Sequence, residues 1–226
     1  MVYSKAIGGE EVNYKVDHIP KNTKNNKRPG TKMTPQYITI HSTANPKSTA
    51  KNERDWLVNP SNNRTASWHI CVDEKQAVEA IPLDEIAWHA GNRQGNTKSI
   101  GIEICESGDR AKTIQNTVEL VAQMLFERNW GIERLRRHFD WSGKNCPRIM
   151  SANNWEGWTG FKLSVERELN RLKAGEKTKV NHEPSNWAKE AWEWGIKNGV
   201  TDGSNPKDTA TREEVIAMIC RAKKVK

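Results

Sequence analysis

The sequence predicts an α/β fold, a mixed central β-sheet flanked by helices, with a small helical module at its C-terminal end. Three observations carry this. Residues 36–43 and 99–105 alternate apolar and polar side chains with the two-residue period of a strand that has two distinct faces. Residues 66–73 and 76–81 are short apolar runs joined by a charged turn, the pattern of an antiparallel hairpin. Residues 113–130 carry Ile114, Val118, Val121 and Leu125 at intervals of three and four, the stripe by which a helix covers a sheet, and 48–58 reads as a shorter helix. Strands that alternate with helices, plus one hairpin, make a mixed sheet with helices on its faces.

Taken in order, residues 1–35 are polar and basic and read as an N-terminal extension packing on the domain that follows; KNTKNNKRPG at 21–30 is loop-forming by composition, and His18 before it reads as a solvated surface histidine. In 36–43, Ile38 and Ile40 share one face, and Tyr37, Thr39 and His41 the other. Ser48 or Thr49 caps the next helix, which turns Trp56 and Leu57 inward. In 66–73, Trp68, Ile70 and Val72 oppose Ser67, His69 and Cys71. Residues 82–98 read as a loop whose Trp88 and His89 are candidates for lining a groove, since loops carry recognition more often than regular elements do. In 99–105, Ile100, Ile102 and Ile104 oppose Gly101, Glu103 and Cys105. A carboxylate in mid-strand is costly unless it is solvated, paired or functional, so Glu103 stands out. Residues 135–138 form a short extended segment, 151–158 a loop, and Phe161, Val165, Leu169 and Leu172 mark a closing helix.

Composition bounds the function. The chain has 226 residues, enough for one ordinary domain and a small second module. Its net charge of +8 suits an anionic partner, either nucleic acid or a cell wall carrying anionic polymers. No basic block with interleaved aromatics is present, which argues against nucleic acid. No run approaches the roughly 20 apolar residues of a membrane span, and the first residues lack the apolar core of a signal peptide. The expectation is a protein made and kept in the cytoplasm, with no membrane insertion. The four cysteines are scattered and form no disulfide framework, which fits a reducing compartment.

The chemistry concentrates in 137–147, RHFDWSGKNCP. His138 and Cys146 stand as H-x7-C, with Lys144 two residues before the cysteine. Imidazole and thiolate are good zinc ligands, and the Ser142, Gly143 and Asn145 between them let the chain fold back. On type and spacing alone the pair reads equally as a buried histidine and a buried free cysteine. A hydrolytic zinc site needs about three protein ligands and one open position, so a third ligand must come from elsewhere.

This run resembles the end of the zinc amidase family that includes phage and bacterial N-acetylmuramoyl-L-alanine amidases and the peptidoglycan recognition proteins. The resemblance covers roughly 30–172 and implies a catalytic domain over 36–172. It implies zinc held by His41, His138 and Cys146, with Glu103 as the catalytic carboxylate facing the ion and Lys144 beside the last ligand. It also places His69 near substrate; Trp88, His89 and Tyr37 complete the candidate substrate contacts. The implied reaction is hydrolysis of the amide between N-acetylmuramic acid and L-alanine in peptidoglycan, as in an endolysin or prophage lytic enzyme that reaches the wall after holin action or lysis. The alternative is a muropeptide-recognition protein of the same fold that binds without cutting.

Residues 173–184 are polar and aperiodic and read as a linker. In 185–226, Trp187, Ala191, Trp192 and Ile196 make one apolar face with Gly199 as helix stop; Thr211 and Glu214 form a capping box before Val215, Ile219 and Ala222. The pattern resembles a single S-layer homology repeat, which implies binding to wall polymer or pairing into a homodimer.

Overall fold

The computed structural model describes residues 12–181, 184–201, 210 and 212–223. The chain divides into a unit Met1–Leu169 and a unit Asn170–Lys226. The first is built on six strands, β1 (Asn13–Val16), β2 (Tyr37–Ser42), β3 (Ile70–Val72), β4 (Gln76–Glu79), β5 (Ser99–Ile104) and β6 (Leu135–Arg137). Their order across the sheet is β1-β4-β3-β5-β2-β6. The β3–β4 hairpin is antiparallel and the other four pairings are parallel, so the sheet is mixed as expected.

Register decides what shares a face. His41 of β2 pairs with Glu103 of β5, and Glu103 with Cys71 of β3. Partners in a ladder project to the same side, so Thr39, His41, Gly101, Glu103 and Cys71 look one way and the isoleucines of β2 and β5 the other. On the isoleucine side Ile38, Ile40, Ile100, Ile102 and Ile104 are fully buried. Helix α3 (Arg110–Glu127) packs against β3 and β5, burying Val118, Val121 and Leu125. On the opposite side α1 (Ala50–Val58) packs against β3 and β4, where Leu57 joins a core with Ile19, Cys71, Val78, Ile81 and Cys105. Thr49 caps α1 by accepting from the Asn52 amide.

Several expectations are corrected. The N-terminal extension contributes β1, which adds to the sheet edge beside β4. His18 is not a free surface histidine; its Nε2 lies 2.6 Å from Glu79 Oε1. Strand β3 begins at Ile70, leaving Trp68 and His69 in the segment that enters it. The loop 82–98 ends in a short helix, α2 (Arg93–Lys98), capped by the Asn92 side chain. Helix α3 starts at Arg110 because Asp109 caps it, and Trp130 lies beyond its end. Helix α4 (His138–Ser142) opens on the candidate ligand itself. The loop expected at 151–158 is a turn at Asn153–Trp155, where φ is positive, leading into helix α5 (Ala152–Asn181). That helix continues through most of the expected linker, to Asn181.

The second unit holds the end of α5, a short 3-10 turn (Asn186–Ala188), α6 (Lys189–Lys197) and α7 (Arg212–Ala222). Gly199 takes the left-handed conformation expected of a helix stop. Thr211 and most of the loop 201–208 lie outside the described residues. Trp187 is 89% exposed, and Val215 and Ile219 are also open to solvent. The apolar faces expected to turn inward are therefore uncovered among the described residues.

Candidate metal centre

His41 sits one residue before the end of β2, buried, on the face of the sheet that carries Glu103. His138 is the first residue of α4, directly after β6, which pairs with β2. Cys146 returns to the same place through a reversal. Gly143 follows α4 with φ +73, a conformation that suits glycine. The Phe139 amide, an orphan donor of the first helical turn, then donates to the Cys146 carbonyl at 3.1 Å. The seven-residue spacing is thus one helical turn out, a glycine reversal and a return strand pinned to the helix start.

The result is that His41, His138 and Cys146 each offer a donor atom to one buried point, all within 4.8 Å of one another. His41 Nδ1 lies 3.1 Å from His138 Nδ1 and 3.8 Å from Cys146 Sγ. A tetrahedral zinc ion with ordinary bond lengths would set about 3.3 Å between two nitrogens and about 3.6 Å between nitrogen and sulfur. The donor set therefore fits zinc in chemistry, and the two distances from His41 lie close to these values.

Electrostatics point the same way. Burial, with the neighbouring histidines, holds His41 well below the ordinary imidazole range. Burial and the charge of Lys144 push His138 down to about 4, so its imidazole stays neutral at physiological pH. Burial and Glu103 push the Cys146 thiol up to about 12, against a hydrogen bond from the Ser42 backbone that favours thiolate. Such a thiol needs a cation beside it to ionise near neutral pH.

Glu103 faces the same cavity. Its Oε2 is buried without a hydrogen-bond partner among the described residues. Burial, then the charge of Glu53, raise its pKa to about 8, offset in part by Lys144. Lys144 is exposed at the cavity mouth, and its charge reaches His41, Glu103, His138 and Cys146. The cavity, about 790 Å³, runs from the donor cluster to Trp56, Trp68, Arg64 and Trp88.

The candidate substrate contacts separate. Trp88 lines the cavity, its indole N–H donating to the Asn26 carbonyl at 2.8 Å. His89 touches the cavity but is 7% exposed, and both ring nitrogens are taken, by His41 and by the Ser99 carbonyl. His69 does not reach the cavity: it is fully buried, accepting from the Gly101 amide and donating to the Glu85 carbonyl. Tyr37 lies at the far end of β2 from His41, edge-on to Trp141 and under the Arg136 guanidinium. Neither His69 nor Tyr37 lines the cavity: alternation set their face, but not their depth or their distance along the strand.

Residues the sequence did not single out also shape the site. Glu106 is buried, accepts from the Ala44 amide and pairs with Arg148 through both carboxylate oxygens, while the Arg148 amide donates to Ser42 Oγ. This ties together the segments that leave β2, β5 and Cys146. Glu53 of α1 is a second buried carboxylate on the cavity wall, its pKa raised by burial. Trp68 presents a buried indole N–H with no partner. Glu53 lies on the buried face of α1, between Ala50 and Leu57, and Glu106 just past a strand, and neither was flagged by the apolar pattern around it.

Comparison with known proteins agrees with this geometry. The family profile described as N-acetylmuramoyl-L-alanine amidase matches residues 31–149. The N-acetylmuramoyl-L-alanine amidase XlyB of Bacillus subtilis (strain 168) is 40% identical over 177 residues, which are 75% of this chain and 52% of that protein. CwlA of the same organism is 46% identical over 148 residues, 62% of this chain and 52% of the relative. The chain thus spans about half the length of these curated relatives. The catalytic domain of XlyA superposes with a TM-score of 0.62 at 41% identity, covering 68% of this chain and 99% of that domain. PlyL superposes with a TM-score of 0.60 at 36% identity, covering 68% and 96%.

Proposed function

The chain belongs to the N-acetylmuramoyl-L-alanine amidase family, and on that premise we propose that it is a zinc-dependent peptidoglycan hydrolase. It cleaves the amide between the lactyl group of N-acetylmuramic acid and L-alanine, in the manner of a phage or prophage endolysin. The observation that carries this is the convergence on a single cavity of three zinc-type donors and one buried carboxylate oxygen without a hydrogen-bond partner among the described residues.

His41, His138 and Cys146 would hold the ion. Bound zinc would supply a lowered water pKa and a polarised substrate carbonyl. Glu103 accepts the water's proton at a carboxylate oxygen that has no hydrogen-bond partner among the described residues, and passes it to the departing alanine amine. Burial raises its affinity for a proton, and a cation held beside it would oppose that shift and keep the carboxylate able to accept. Lys144 places a positive charge where the carbonyl oxygen gains negative charge. The tryptophans of the outer cavity offer faces for sugar and peptide.

The second unit, in this reading, holds the enzyme on wall polymer or on a second copy of itself. Its exposed Trp187 and the open faces of α6 and α7 support that role.

Digestion of purified Gram-positive walls, with and without chelator, tests the reaction. New amino groups that appear without new reducing sugars, and that chelator abolishes, are expected. New reducing sugars would mark a glycosidase. Binding to walls with neither product would mark a recognition protein.

A further inference from the structure

The loop after Trp88 does something the substrate-binding reading does not require. His89 Nε2 lies 3.1 Å from the Ser99 carbonyl, and His89 Nδ1 lies 3.0 Å from His41 Nε2. A carbonyl oxygen can only accept, so His89 Nε2 carries the proton and donates. Neutral His89 then has only a lone pair on Nδ1, so His41 Nε2 must be the donor to it. That leaves the lone pair of His41 on Nδ1, the atom that faces His138 and Cys146.

We propose that His89 is a positioning residue that locks His41 in the tautomer able to bind metal, and that its loop orients His138 as well. This rests on the zinc-centre reading above. The Ala90 carbonyl, next in the chain, accepts from the His138 ring. The two steps of chain are fixed together, since Asn96 Oδ1 of α2 accepts from the amides of both His89 and Ala90, at 3.0 and 2.8 Å. One amide side chain therefore holds the loop that aligns two imidazoles.

The sheet is shaped for this ring. A Cβ at Gly101 would lie 2.6 Å from the His89 ring, so only glycine at that strand position admits it. His69 packs edge-on against the other side of His89, with its own nitrogens anchored to the Gly101 amide and the Glu85 carbonyl. The ring can neither flip nor swing without breaking one of these contacts. Partners that fix a ligand's tautomer and orientation commonly change metal affinity by about 10–100-fold when removed.

The test measures zinc affinity by competition with a chelator, and His41 tautomer by nitrogen chemical shifts, on the full chain. In the wild-type protein without metal, His41 is expected as the Nε2–H tautomer. His89→Phe keeps a ring but has no acceptor; it should mix the His41 tautomers and weaken zinc binding about 10–100-fold. His89→Gln can accept and donate along the same line and should recover part of that loss. Gly101→Ala, which leaves His89 chemically intact but displaces it, should weaken zinc in the same direction. An Nδ1–H tautomer in the wild-type protein overturns the inference whether or not any variant folds. So does a folded His89→Phe chain with zinc affinity within twofold of wild type. A wild-type chain that takes up no zinc overturns the metal centre itself, and the inference with it. Zinc binding with the expected tautomer but no wall cleavage would sink the hydrolase reading alone and leave the inference standing.

Discussion

At the scale of single residues, the site depends on groups held away from their usual protonation states. His69 shows the consequence for stability. Burial pushes its pKa down to about 4, against a hydrogen bond to the Glu85 backbone that favours the charged form. In the unfolded chain it titrates near 6.5. Between these values the unfolded state binds the proton and the folded state refuses it. The contribution is therefore complete above about pH 6.5 and is lost as the pH falls towards 4. Its size is on the order of 3 kcal/mol. Unfolding free energies measured at pH 7, 5.5 and 4.5 should fall steadily, and less steeply in His69→Gln; equal slopes would remove His69 as a source. The catalytic assignments also belong at this scale. Glu103→Ala should lose about 100-fold or more in turnover while keeping its zinc, and Lys144→Ala should behave alike. Near-normal turnover in either variant with metal retained would take that residue out of the mechanism.

At the scale of elements, what could be read locally was what repeats locally. The isoleucine alternation of β2 and β5 marked both strands, and the ladder then placed His41 opposite Glu103. The Thr49 cap and the Gly199 stop acted where their chemistry put them. β1 escaped because its NYKV is mostly exposed at a sheet edge and carries little apolar signal. Helix α2 escaped because RQGNTK has no apolar stripe; its Asn92 cap and the Asn96 anchor are what hold it. The His138–Cys146 return is the element the metal centre relies on most. Nothing lies within 4 Å of a Cβ placed at Gly143, so substitution there meets backbone strain alone. Gly143→Ala should cost roughly 1–2 kcal/mol for a side chain in the left-handed region and should weaken zinc retention. A melting temperature and zinc affinity equal to wild type would show that the return tolerates other conformations.

At the scale of the whole molecule, the candidate metal donors were legible only through the family resemblance, and their support was not legible at all. Type and spacing left His138 and Cys146 open between zinc and a plain buried pair, the resemblance added His41, and the structure brings the three together. Glu106, Arg148 and Asn96 are ordinary polar residues whose importance arises only when distant loops meet, and no spacing encodes that. The same limit hid that His69 and Tyr37 do not line the cavity. The division into two units carries its own prediction. A chain ending at Asn181 keeps α5 whole and should bind zinc and cleave soluble muropeptide as the full chain does. It should sediment poorly with whole walls, because the exposed faces of α6 and α7 are gone. Sedimentation equal to the full chain would make the second unit a packing extension rather than an anchor.

The central claim is that one ion, held by three named residues, drives amide hydrolysis. Its most direct measurement is a zinc titration of the metal-stripped chain, following release of the alanine amine from a soluble muramoyl peptide. Turnover should rise from near zero and level off at one zinc per chain, and Cys146→Ser and His138→Ala should each abolish that saturation. Full turnover in the stripped chain, or unchanged stoichiometry in both variants, would contradict the account.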